Sequence, residues 1–139
     1  MASGGSGVGD SAIQSFEDLE VWQMAMSLAE DCYRVTIKFP GSEIYGMTSQ
    51  MRRASISIPS NIAEGHGRES TASFIQFLRI AQGSLKELQT QLLLSKRVLL
   101  APSDAIDPLL IKCERIGKML RALIRALQSK SNPSRNITE

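Results

Sequence analysis

A lone histidine, two cysteines and two polar helix faces are the places in this sequence that could act on another molecule. His66 stands in a Gly-His-Gly turn. An imidazole can move protons near neutral pH, but only beside a partner group, and spacing supplies none here. Cys32 and Cys113 lie far apart, each among apolar residues, which reads as two buried, reduced thiols rather than a disulfide framework or a zinc site. No Gly-x-Ser-x-Gly, phosphate-binding loop or His-Glu-x-x-His run occurs, nor the Glu-x-x-His motifs that hold paired irons in helical bundles. No catalytic residue, cofactor or metal ligand is assigned, and an enzyme is not expected.

The polar faces are more informative. At about 100° per residue, Gln50, Arg53, Ser57, Ser60, Asn61 and Glu64 fall in one arc of a helix, opposite an apolar stripe from Met47 to Ile62. Arg52, Ile56 and Ala63 form a narrow strip beside it. The arc is either a solvated face or a polar network at a subunit interface, where its members would have to satisfy one another. Further along, Lys112, Arg115, Lys118, Arg121 and Arg125 are expected to project from the back of another helix, with Glu114 the one acid among them. Arg79, Lys86 and Arg97 fall roughly on one line of the preceding helix. Such faces are either ordinary solvated surface or a phosphate-tracking surface, whose affinity would fall steeply with salt. They lack aromatic side chains for base stacking, so binding would be led by backbone charge and shape.

Four amphipathic segments must position these residues. Segment one, about 16–39, places Trp22, Ala25, Ala29, Cys32 and Thr36 at spacings of three and four, and Pro40-Gly41 ends it. Segment two, about 43–64, is expected to take Ser42 as N-cap and Gly65 as its stop, with Pro59 kinking it. Segment three opens at Ser70 or Thr71 and runs to about Leu100. Its apolar seam is Phe74, Leu78, Ala81, Leu85, Leu88, Leu92, Ser95 and Leu99. Segment four follows Ala101-Pro102, capped by Ser103 or Asp107, with Leu109, Cys113, Ile116, Leu120, Leu123 and Leu127 on its stripe. Short links between long helices predict an all-α, up-down-up-down antiparallel four-helix bundle over residues 15–130. Residues 1–14, rich in Gly and Ser, and 131–139 are expected to be flexible tails.

Composition agrees with one globular domain: 42% of the 139 residues are hydrophobic and seven are aromatic, which favours helix over sheet. No secretory signal and no apolar run of about 18 residues is visible, so a cytoplasmic protein is expected, with no membrane partner. The net charge of +2 conceals an asymmetry. Residues 1–50 carry seven acids and two bases; residues 51–139 carry fourteen bases and seven acids. The second half is the better candidate for an anionic partner.

Three stretches carry a resemblance: FEDLEVW (16–22), EIYGMTSQMRRASISIPSNIAEGHGR (43–68) and FLRIAQGSLKELQ (77–89). With them, residues 16–127 resemble the bacterial four-helix-bundle proteins encoded within intervening sequences of 23S ribosomal RNA genes. The resemblance implies a ring-like homopentamer. It also implies kinship with the accessory proteins of diversity-generating retroelements, which bind a reverse transcriptase and nucleic acid. It favours the interface reading of the segment-two arc and assigns no catalytic residue. The expected function is a non-enzymatic, homo-oligomeric scaffold that binds nucleic acid, RNA first, through its basic helix backs. The alternative is a protein-interaction adaptor, such as an accessory subunit of a reverse transcriptase.

Overall fold

The computed structural model describes residues 15–131; the two expected tails lie outside the described residues, apart from Ser131. Four long helices, α1 (Glu20–Thr36), α2 (Met47–His66), α3 (Thr71–Arg97) and α4 (Ser103–Ser131), make an all-α fold with no strand among the described residues. Each helix packs on the next in the chain, and α1 also meets α4, so the four enclose one core. That core is built largely from the expected stripes: Ala25, Leu28 and Cys32 of α1; Met51, Ala54, Ile58 and Ile62 of α2; Leu78, Ala81, Leu85, Leu88 and Leu92 of α3; and Leu109, Cys113, Ile116 and Leu120 of α4, to which Ile106 of α4 is added. Recurrence at three and four residues puts these side chains on one face of each helix, and their removal from water drives the assembly.

Pairs between helices fix their alignment. Met51 Sδ of α2 meets the Ser95 hydroxyl at 3.5 Å, while the Ser57 and Ser84 hydroxyls share a hydrogen bond at 2.8 Å. A Cβ added at Gly65 would lie 2.7 Å from Phe77 Cβ. Between α3 and α4, Lys96 Nζ donates to Asp107 Oδ1 at 2.6 Å, and Leu85 stands beside Gly117.

The ends of the helices depart from expectation in several places. Segment one is broken: a 3₁₀ turn over Phe16–Asp18 precedes α1, held by a capping box in which Ser15 Oγ accepts the Glu17 N–H at 3.1 Å and Asp18 accepts the Ser15 N–H at 3.2 Å. Ser42 does not cap α2. Residues Gly41–Glu43 form another 3₁₀ turn, α2 begins at Met47, and its first N–H donates to Glu43 Oε1 at 3.0 Å. Gly65 does not stop α2 but lies buried within it, and the chain leaves the helix at Gly67. Pro59 is accommodated inside α2 and buried. Ser70 caps α3 as expected, accepting the Ser73 N–H at 3.0 Å. Neither Ser103 nor Asp107 caps α4, because the helix starts one residue earlier: the Pro102 carbonyl accepts the N–H groups of Ala105 and Ile106. Asp107 serves Lys96 instead.

Candidate interaction surfaces

The polar arc of α2 divides between two neighbours. On the side toward α3, Arg53 donates to Gln50 Oε1 at 2.5 Å and stands 3.5 Å from Glu87. Asn61 Nδ2 donates to the Ser57 carbonyl at 2.8 Å and to the Ser57 hydroxyl at 3.0 Å, and that hydroxyl is the one shared with Ser84. Glu64 pairs with Arg68 at 2.7 Å, one turn further on. These residues therefore find partners inside the chain, along the α2–α3 boundary. On the other side, Arg52 turns toward α1: its Nε donates to Thr36 Oγ1 at 2.9 Å, and its guanidinium lies 4.4 Å from the centre of the Tyr33 ring.

The strip beside the arc opens on a feature that the sequence reading missed. Ile56, Pro59, Ser60 and Ala63 of α2 face Trp22, Met26, Ala29 and Tyr33 of α1 across an open groove of about 670 Å³, with Glu30 and Arg34 at its rim. Three of its apolar side chains are well exposed: Met26 at 37%, Tyr33 at 42% and Ile56 at 44%. Helical spacing marks Trp22 and Ala29 as core-facing, yet it does not reveal how far apart the two helices stand at that point. The signal available in the sequence was the pairing of apolar Ile56 and Ala63 with no polar residue between them on their strip.

The basic positions separate cleanly into used and unused cations. Lys112, expected among the outward-facing bases, is corrected: its side chain is only 26% exposed, and Nζ donates to Asp31 Oδ2 at 2.6 Å and Ser27 Oγ at 2.8 Å on α1. The reason is positional. Lys112 stands three residues after Leu109 and four before Ile116, both buried, so it flanks the core stripe rather than opposing it. Arg34, Arg53, Arg68 and Lys96 are also in ion pairs. By contrast Arg79, Lys86 and Arg97 of α3 and Arg115, Lys118, Arg121 and Arg125 of α4 are all exposed. None of these seven has an ion-pair partner among the described residues. A smaller groove of about 430 Å³ between α3 and α4 is lined by Lys86, Gln89, Thr90, Leu93, Leu110 and Glu114.

His66 lies edge-on to Phe74, ring centres 5.8 Å apart. Cys32 and Cys113 are free and fully buried. Burial pushes the Cys32 thiol up to about 12, partly offset by its hydrogen bond to Ser55, and burial with the nearby Cys32 pushes Cys113 up to about 12 as well. Both are therefore protonated and unreactive at neutral pH. Among the described residues no group of three or more His, Cys, Asp or Glu side chains could hold a metal ion, and no helix is long and apolar enough to cross a membrane.

A four-helix bundle whose exposed, unpaired cations lie mostly along α3 and α4 is the class of protein that these features define. The chain belongs to the 23S rRNA-intervening sequence protein family, whose model matches residues 17–122. The fold is similar to the crystal structure of a protein of unknown function from the S23 ribosomal protein family of Bacteroides thetaiotaomicron VPI-5482. That likeness has a TM-score of 0.68 at 24% identity, covering 75% of this chain and 97% of the other. No curated protein matches the chain.

Proposed function

We propose that this protein is a non-enzymatic, cytoplasmic, homo-oligomeric scaffold that binds nucleic acid, RNA above all, through the backs of α3 and α4. The single observation that carries the reading is the segregation of charge. Cations on α1 and α2 are consumed by partners in the same chain, whereas on α3 and α4 seven are exposed and unpaired beside the two paired ones, Lys96 and Lys112. An unpaired cation gains little by facing water, but it releases a counterion when it meets a phosphate. The family's description, which ties it to ribosomal RNA genes, favours RNA over other polyanions.

The bundle is read as antiparallel, up-down-up-down. The inter-helix pairs support this, since Met51 meets Ser95 while Gly65 meets Phe77, and Leu85 meets Gly117 while Lys96 meets Asp107. In each case residue numbers rise along one helix as they fall along its neighbour. The oligomer is read as a ring, pentameric by family resemblance, with the α1–α2 groove at its seam. Fluorescence anisotropy with RNA hairpins, duplex DNA and heparin across a salt series tests the main claim. Binding is expected at about 50 mM salt and is expected to weaken steeply as salt rises; no binding to any nucleic acid at that salt overturns it.

One observation favours a second reading. The exposed, partly aromatic α1–α2 groove suits an apolar helix of a different protein as well as a second copy. The chain would then be an adaptor, for example for a reverse transcriptase. A contact with such a protein that survives nuclease treatment would favour this alternative.

A further inference from the structure

We infer that the basic surface holds a double-stranded nucleic acid by both of its backbones at once, rather than tracking a single strand; this deepens the nucleic-acid reading above and rests on it. The unpaired cations do not form one patch but two rows, one on each of two adjacent helices. Arg115, Lys118, Arg121 and Arg125 recur at three- and four-residue steps on α4, so they span about 15 Å along the helix at 1.5 Å per residue. Arg79 and Lys86 stand seven residues apart on α3, about 10 Å along its axis.

The alignment of the helices sets these rows side by side. Leu85 of α3 meets Gly117 of α4, and Lys96 meets Asp107. Lys86 therefore stands level with the stretch between Arg115 and Lys118, and Arg79 with the stretch between Arg121 and Arg125. Packed helices have axes about 8–10 Å apart, and long side chains splaying from them carry their charges somewhat further apart. Duplexes present phosphates on two backbones flanking a groove, about 6 or 12 Å wide in B-form DNA. Glu114, the one acid among the α4 cations, stands seven residues before Arg121 on the same face and lines the α3–α4 groove with Lys86, so it subtracts one charge from the α4 row.

A single strand asks for different equipment. It presents one backbone and unstacked bases, and proteins that hold it supply aromatic rings on which those bases stack. No Phe, Tyr or Trp follows Phe77 in this chain. Phe77 itself lies under the Arg68 guanidinium, 4.8 Å from ring centre to cation. The two rows thus have charge in the arrangement of two strands and nothing to stack upon.

The test compares a blunt RNA duplex, a DNA duplex of the same length and an unpaired oligouridylate by fluorescence anisotropy over a salt series. Two double variants accompany the full chain: Arg79→Ala with Lys86→Ala on α3, and Arg115→Ala with Lys118→Ala on α4. All four positions are exposed, and circular dichroism checks that the variants keep their helix content. The duplexes are expected to bind about tenfold or more tighter than the single strand, for want of stacking rings. Each double variant is expected to lower the salt slope for duplex by about two, since each neutralised phosphate contributes about 0.9. Preference for RNA duplex alone, or for both duplexes equally, supports the inference and identifies which form is held. Single-strand binding as tight as duplex binding, or an α3 variant with unchanged duplex affinity and slope, overturns the inference while leaving the nucleic-acid reading standing. No binding to any of the three would overturn both.

Discussion

Leu99 combines a left-handed backbone with an exposed apolar side chain. Its φ is 63°, the one positive value at a non-glycine residue among those described, and its side chain is 84% exposed. It sits just past α3, where the Leu100 N–H donates back to the Ser95 carbonyl at 2.9 Å and closes the helix end. Glycine occupies that position freely, whereas an L side chain is crowded there by roughly 1–2 kcal/mol. Against this, glycine gives the unfolded chain more freedom, worth about 0.5–1 kcal/mol. Leu99→Gly is therefore expected to stabilise the fold by up to about 1 kcal/mol, read as a higher urea midpoint with an unchanged denaturant slope. A lower midpoint would mean that Leu99 is covered in solution by something else. The seven-residue repeat of α3 extends to Leu99, which is why the sequence marks it as core; the turn that takes it out of the seam has no glycine to announce it. Lys112 teaches the converse. Its spacing from Leu109 and Ile116 already placed it beside the core, but its charge drew it into the outward-facing set.

At the scale of elements, four helices and nearly all of their buried stripes were legible, because a periodic apolar face has few other ways to leave water. Their ends were less so, and Gly65 shows why. A glycine after a helical pattern reads as a stop, yet here it serves close packing: an added Cβ would meet Phe77 Cβ at 2.7 Å, Phe74 Cδ1 at 2.9 Å and the Phe74 carbonyl at 3.3 Å. Two of these three are backbone or next to it and cannot swing aside. Gly83 on α3 makes the natural comparison, since a Cβ there meets nothing within 4 Å. Gly83→Ala is expected to stabilise by about 0.5–1 kcal/mol through helix propensity alone. Gly65→Ala gains the same propensity but must push α2 and α3 apart, and is expected to destabilise by about 1–3 kcal/mol net. Thermal melts of the two variants should move in opposite directions. A Gly65→Ala protein as stable as the parent would mean that the α2–α3 junction yields more easily than its packing implies. The α1–α2 groove was barely legible, its one trace being the apolar pair Ile56 and Ala63. It depends on the separation of two helices, and a stripe on either one alone does not report it.

For the whole molecule, the groove and the charge asymmetry point to the same kind of assembly. Residues 1–50 carry five more acids than bases and residues 51–139 carry seven more bases than acids, an imbalance that would favour contact between unlike surfaces in the proposed oligomer. Contacts between unlike surfaces close into rings when the rotation permits, whereas self-complementary patches stop at dimers. For the proposed seam, Ile56 is the informative residue because it is exposed and lines the α1–α2 groove. Ile56→Glu should leave the fold nearly untouched, as surface substitutions on a helix change stability by about 0.5 kcal/mol or less. At a seam the same carboxylate would be stripped of water, while the nearby cations are already engaged, Arg34 by Glu30 and Asp31 and Arg52 by Thr36 and Tyr33, so the penalty is several kcal/mol per contact. Light scattering is therefore expected to find a multimer for the parent chain and a monomer for Ile56→Glu, with the same circular dichroism spectrum. Arg53→Ala is the control, since Gln50 and Glu87 of its own chain already engage Arg53, and its mass is expected to match the parent's. Were Arg53→Ala to dissociate the multimer while Ile56→Glu left it intact, the seam would belong to the polar arc of α2, and the α1–α2 groove would be free for a different protein.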